Sequence, residues 1–247
     1  MANGVAIGVG TAAGVAVALV AAWHGLTYWE VDKKCEKPKY SIVRTLGSKK
    51  DWLGRVRPVA EIRRYAPVLV AEVTFENMAM REALSNGFRA IAGFIFGKNI
   101  APGNSTSSSS TVAMTSPVTL ESSPLPSEKI AMTSPVTAEA VTADTYKVSF
   151  IMPSKYTKET LPKPVNDKVI IKEIPSRTLA ALTWSGRGPN QEEMDNKANE
   201  LRAVLAKAGV KPLSSHVHLW QYHPPFAPSW MRRNEVLLEV NDDVASS

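Results

Sequence analysis

From Val59 onward, apolar and polar positions repeat with a period of two or of nearly four, and the two periods take turns. In Val68–Phe75, VLVAEVTF, the residues Leu69, Ala71, Val73 and Phe75 alternate with Val70, Glu72 and Thr74. That alternation predicts a half-buried strand. From Met80 the period lengthens. Met80, Leu84, Phe88, Ile91 and Ile95 share one side of a helix, while Arg81, Glu82, Ser85 and Arg89 take another. Asn77 is the expected N-cap and Gly97 the expected stop. YKVSFIMP, Tyr146–Pro153, predicts a further strand.

The second half repeats this order. VIIKEI and TLAALTWS read as strands parted by Pro175–Ser176. In NQEEMDNKANELRAVLAKAG, Met194, Ala198, Leu201, Leu205 and Ala208 face inward, Asn190 and Glu193 have capping-box spacing, and Gly209 stops the helix. HVHLWQY and NEVLLEV supply two more strands. Both halves read strand–strand–helix–strand–strand, and EIRRYAPVLVAEVTF is faintly similar to KEIPSRTLAALTWS. The expected class is α+β, with two pseudo-symmetric ββαββ halves from an internal duplication.

Within the first half of this pattern, one phrase occurs twice. Residues 111–119 read TVAMTSPVT and residues 129–137 read KIAMTSPVT, after the low-complexity run PGNSTSSSST. The expected sheet strand is the second copy, Ile130–Val136, in a hairpin with Tyr146–Pro153, because only about nine residues join them. The first copy, Val112–Val118, is expected to loop out of a flexible segment over 98–129. Residues 30–55 show little periodicity and read as a polar tether.

The N-terminus changes the picture. Residues 1–29 hold no charged side chain and Val5–Trp23 is almost wholly apolar. Nineteen residues at helical rise span roughly 28 Å, enough for a bilayer core. Trp23, Tyr28 and Trp29 follow as an aromatic belt, then Lys33, Lys34, Lys37 and Lys39. The expectation is a single-pass anchor in the lipid bilayer over 1–29, a tether over 30–55 and one domain over 56–242. By the positive-inside rule the domain faces the cytosol, or the stroma in a plastid. The competing reading is secretion after cleavage of this segment as a signal peptide. Gly4/Gly8 and Gly10/Gly14 have the spacing of close helix pairs, which allows a homodimer through this helix. Asn104-Ser105-Thr106 is a glycosylation sequon and an internal check on the orientation.

Composition is otherwise ordinary: 247 residues, 44% hydrophobic, 21% charged, net charge +6. The basic residues do not cluster with aromatics, so nucleic acid is not an expected partner. One cysteine, Cys35, excludes an internal disulfide. It is a surface thiol or, beside a membrane, a palmitoylation candidate rather than a nucleophile. His216 and His218 share a strand face but lack a third ligand at supporting spacing. Met114 and Met132 read as strand core rather than iron ligands. No glycine-rich phosphate loop or nucleophile elbow is present, and no catalytic residue is nominated.

AEIRRYAP, FGKN, IAMTSPV, YKVSFIMPSKY and YHPPFAPSWMRRNEVLL, in that order, resemble the SOUL haem-binding protein family, most closely its plant and algal members. The likeness spans about Val59 to Val240. It implies a distorted antiparallel sheet or barrel with two flanking helices, and non-covalent binding of haem or a related tetrapyrrole without a strong iron ligand. The porphyrin face would lie on apolar residues and its propionates would meet basic ones. The positions this implies are Arg64, Arg81, Ser85, Phe88, Arg89, Ala92 and Arg232. Where some animal members carry a histidine, this chain has Arg64. Three positions basic in related members fall at about Ser85, Gly93 and Ala227 and are not basic here. Arg81, Arg89 and Arg232 or Arg233 are the expected substitutes. The expected function is a membrane-anchored tetrapyrrole carrier or buffer. The alternative is a protein-interaction module on the same fold with a degenerate pocket, and a tetrapyrrole-processing enzyme lacks a visible catalytic group.

Overall fold

The computed structural model describes residues 22, 25, 35–51, 53–100, 130–131, 133–142, 145–223 and 227–242. The apolar anchor region, apart from Ala22 and Gly25, lies outside these residues, as do His24, the first MTSPV copy, Asn104, Met114 and Met132. Among the described residues no helix is long and apolar enough to cross a membrane.

In chain order the strands are β1 (Tyr40–Leu46), β2 (Lys49–Lys50), β3 (Val56–Arg57), β4 (Ala60–Tyr65), β5 (Val68–Glu76), β6 (Asn99–Ile100) and β7 (Val136–Thr142). They continue with β8 (Thr145–Ile151), β9 (Lys163–Pro164), β10 (Ile170–Ile174), β11 (Arg177–Ser185), β12 (Val217–Gln221) and β13 (Arg233–Glu239). Helix α1 (Met80–Ile95) follows β5 and helix α2 (Gln191–Lys207) follows β11. Nine strands form one antiparallel, curled sheet in the order β1-β4-β11-β13-β12-β7-β8-β5-β10.

That order exposes the duplication. Outward from the β7–β12 seam, both directions run third strand, fourth strand, second strand of one half and then the first strand of the other. β4 pairs with β11 and β10 pairs with β5, so the halves exchange their first strands.

The helices lie on one face of the sheet. Ala71, Val73, Val148, Phe150 and Met152 form one core with Ile91, Phe94 and Ile95 of α1. Ile62, Ala180, Leu182, Val236 and Leu238 form the other with Met194, Ala198, Leu201 and Leu205 of α2. Helix α1 seats deeply because residue 87 is glycine: a Cβ there would stand 2.6 Å from Val148 Cβ. Asn190 Oδ1 accepts from Glu193 N at 2.8 Å and caps α2 as expected. The carboxylate of Glu193 does not close a box with it, instead accepting from Trp184 Nε1 at 3.2 Å.

Four expectations are corrected. Asn77 does not cap α1; it takes a left-handed turn (φ 53°) after β5, and Ala79 is the N-cap without a side-chain bond. The stretch expected as a tether contains β1, paired along β4. β5 is buried on both faces at its centre, Glu72 included, because the curl brings other strands over its polar face. The sheet strand after the second MTSPV phrase is Val136–Thr142 rather than Ile130–Val136; it pairs with β8 and β12. Pro135 has no N–H to give a ladder. Before it, the phrase is pinned by other bonds: Ile130 N to Ile95 O at 3.0 Å, Ser134 Oγ to Tyr222 O at 2.9 Å, and Thr133 Oγ1 to Ile151 O.

Candidate functional site

Five of the seven nominated residues lie together on α1. Arg81, Ser85, Phe88, Arg89 and Ala92 fall within about 100° of its circumference, opposite the buried side. Phe88 is 39% exposed and its ring is anchored on buried Phe150, with centroids 5.5 Å apart. One residue that the sequence reading passed over belongs with them. Phe96, at the C-cap, is 54% exposed. It stands four residues after Ala92, so the helical period could have found it. Phe88 and Phe96 are about 12 Å apart along the axis with small Ala92 between them. The result is a flat apolar plate on the outside of the helix.

Each of the three positions that lack an expected base is touched by a basic side chain from elsewhere. Arg89 Nη2 donates to Ser85 Oγ at 3.4 Å and to Asn86 Oδ1 at 2.9 Å. Lys98 folds back over Gly93, where an added Cβ would meet Lys98 Cδ at 3.4 Å. Arg232 Nε donates to the carbonyl of buried Ala227 at 2.7 Å. Arg89 and Arg232 were nominated; Lys98 was missed, because only the turn after α1 returns it to the helix.

The other two nominated residues lie elsewhere in the sheet order. Arg64 is exposed on β4, with β11, β13, β12 and β7 between it and β8, and its guanidinium is 3.8 Å from the Asp242 carboxylate. Arg232 leads into β13, with β12 and β7 between that strand and β8.

The concave face is polar at one end. Glu235, fully buried, accepts from Arg63 Nη1 at 2.9 Å, Arg233 Nη2 at 2.6 Å, Thr183 Oγ1 at 2.9 Å and Tyr222 Oη at 2.7 Å. Burial opposes its charge, but Arg63 and Arg233 outweigh burial and hold the carboxyl below its usual range. Burial and the neighbouring Glu235 charge push the Tyr222 phenol up. This network is internally satisfied and reads as structural. The histidine pair on this face divides: His216 Nδ1 bonds Glu139 Oε1 at 3.0 Å, whereas burial and then Arg177 push His218 down to about 3. Among the described residues no group of three or more His, Cys, Asp or Glu could hold a metal ion.

A family model described as SOUL heme-binding protein matches residues 35–239. The chain belongs to the SOUL haem-binding family. No curated protein matches the chain. Among solved structures it is similar to the C-terminal domain of EcmrR, at 12% identity over 74% of this chain and 96% of that one, with a TM-score of 0.50. It is also similar to a hydrolase from Listeria innocua, at 13% identity over 87% and 98%, with a TM-score of 0.44. SAV2435 bound to tetraphenylphosphonium matches at 10% identity over 74% and 94%, with a TM-score of 0.38. At these identities the likeness concerns the fold alone.

Proposed function

We propose that this SOUL protein binds haem or a related tetrapyrrole non-covalently on the outer face of α1 and carries or buffers it at a membrane. The observation that carries the reading is the pairing of substitutes with losses on this helix: Arg89 at Ser85 and Lys98 at Gly93. A degenerate pocket would leave those places empty of cations. The Phe88–Ala92–Phe96 plate fits the apolar face of a macrocycle, and Arg81, Arg89 and Lys98 fit its propionates. The exposed side of α1 offers no histidine, cysteine, tyrosine or methionine, so the iron of a bound haem takes no ligand from this helix face. A shallow site without an iron bond suits release as well as capture, as a carrier requires. The apolar segment before Lys33 anchors the domain on the cytosolic or stromal side.

The test is titration of the full-length chain in lipid nanodiscs with haemin, against empty nanodiscs. The expected result is a saturable Soret shift with a Kd of roughly micromolar, about 8 kcal/mol. Phe88→Asp and Phe96→Asp, both at exposed positions, each weaken it about tenfold or more while leaving the far-UV circular dichroism intact. Uptake equal to that of empty nanodiscs overturns the reading in favour of the protein-interaction module. A glycosidase-sensitive mobility shift that Asn104→Gln removes, on expression in a eukaryotic host, overturns the orientation.

A further inference from the structure

Two cavities join where the start of β5 and the end of β8 meet residues 36–39. The outer, about 420 Å3, opens between residues 36–39, the start of β5 and the 153–159 loop, with Leu69, Ile151, Met152 and Tyr156 in its wall. The inner, about 50 Å3, is walled by Arg177, His218, Trp220, Glu72, Glu139 and Ser149 among others. Pro38, Ala66, Val68 and Ile151 line both, so they form one tapering space. The outer volume is in the range of small-molecule sites, and the inner one holds a carboxylate group or one or two waters.

The narrow end has donors without acceptors. Trp220 is 2% exposed, and among the described residues its Nε1–H has no hydrogen-bond partner. Such an orphan is uncommon in a folded interior and asks for an acceptor. Beside it, the largely buried Arg177 guanidinium makes no hydrogen bond or ion pair among the described residues; Glu239 and Glu139 act on it through space. The acids of the wall are already engaged. Glu72 accepts from Lys172 Nζ at 2.5 Å and Ser149 Oγ at 3.3 Å. Glu139 bonds His216 at 3.0 Å and faces Lys147 across the β7–β8 ladder. His218 is neutral and adds no charge. The rim carries three lysines and three glutamates, so selectivity for an anion lies at the narrow end.

We propose that this space is a second binding site, for a small organic acid, whose carboxylate docks against Arg177 and the Trp220 Nε1–H while its apolar body fills the outer cavity. The site is independent of the tetrapyrrole reading, because no residue of α1 lines either cavity.

Calorimetric titration of the full-length chain in nanodiscs, referenced to empty nanodiscs, compares hexanoate, hexanamide and acetate. Hexanoate is expected to bind saturably. Hexanamide, which is neutral, is expected to bind at least tenfold more weakly. Acetate, lacking the body, is expected to bind at least fiftyfold more weakly, since each buried methylene is worth about fourfold. Arg177→Met removes the preference for hexanoate over hexanamide. Trp220→Phe keeps an aromatic ring of smaller size, loses the N–H, and weakens hexanoate about three- to tenfold while leaving the haemin titration unchanged. Should Arg177→Met fail to fold, the wild-type ligand series and Trp220→Phe decide the matter. No hexanoate binding, equal binding of hexanoate and hexanamide, indifference to Trp220→Phe, or displacement of hexanoate by haemin each overturns the proposal.

Discussion

Replacing Gly87 by alanine sets two known effects against each other. On an open helix the change stabilises by about 1 kcal/mol, because glycine spends more backbone entropy in a helix. Here the new methyl would stand 2.6–2.8 Å from Cβ, Cγ1 and Cγ2 of Val148. Comfortable carbon contacts lie at about 3.5–4.0 Å, so something must retreat by about 1 Å. Val148 is fully buried in the middle of β8, with β5 and β7 bonded on either side, and cannot yield. Helix α1 must lift, loosening Ile91 and Phe94 from their core. Overpacking of this kind costs about 1–3 kcal/mol, more than the propensity gain returns. The expected net loss is about 1 kcal/mol, read from urea unfolding followed by far-UV circular dichroism. Val148→Ala alone costs about 2 kcal/mol through two lost methyls and a small cavity. In the double variant Cγ1 and Cγ2 no longer crowd the new methyl and only the 2.6 Å approach to Cβ remains, so the pair is less damaging than the sum by about 0.5–1 kcal/mol. A Gly87→Ala protein more stable than wild type, with effects that simply add, would refute the close seating of α1.

Three further outcomes are expected. Glu235→Gln removes the anion that neutralises buried Arg63 and costs about 3 kcal/mol by urea unfolding. Because the folded carboxyl titrates below its usual range, its contribution is complete above about pH 4.3 and fades as acid takes the pH through the lowered value; Glu235→Gln should show less of this acid loss. Asn190→Ala removes the α2 cap and costs about 1 kcal/mol, most visible as faster amide exchange in the first turn. Changing His216, His218 and His223 together to alanine leaves the haemin spectrum unchanged; a lost Soret shift in a folded variant would show histidine ligation.

Local pattern carried the reading a long way. The helices came from apolar spacing and glycine stops, and most strands from alternation, because those features depend on near neighbours. The exchange of β4 and β10 was not legible, since no local pattern encodes a partner about a hundred residues away. Nor was the burial of Glu72, His218 and Glu235, polar positions that are enclosed when the sheet curls. Pro135 sat inside the expected strand, and its missing N–H could have moved the boundary to Val136. At the α1 plate, the nominated helix residues came from resemblance plus period. Phe96 was within reach of the period, whereas Lys98 needed the turn that follows the helix.

The exchanged strands also set a timetable for synthesis. β5, α1, β7 and β8 can come together soon after leaving the ribosome, and β4 can take β1. The other edge of β4 waits for β11, about 110 residues later, and the free edge of β7 waits about 75 residues for β12. At about 5–20 residues per second the delay is roughly 5–20 s, long for unpaired strand edges to stand open. A nascent chain of this protein is therefore at its stickiest halfway through translation, and a stop codon before Arg177 leaves a fragment with open edges and no partner still to come.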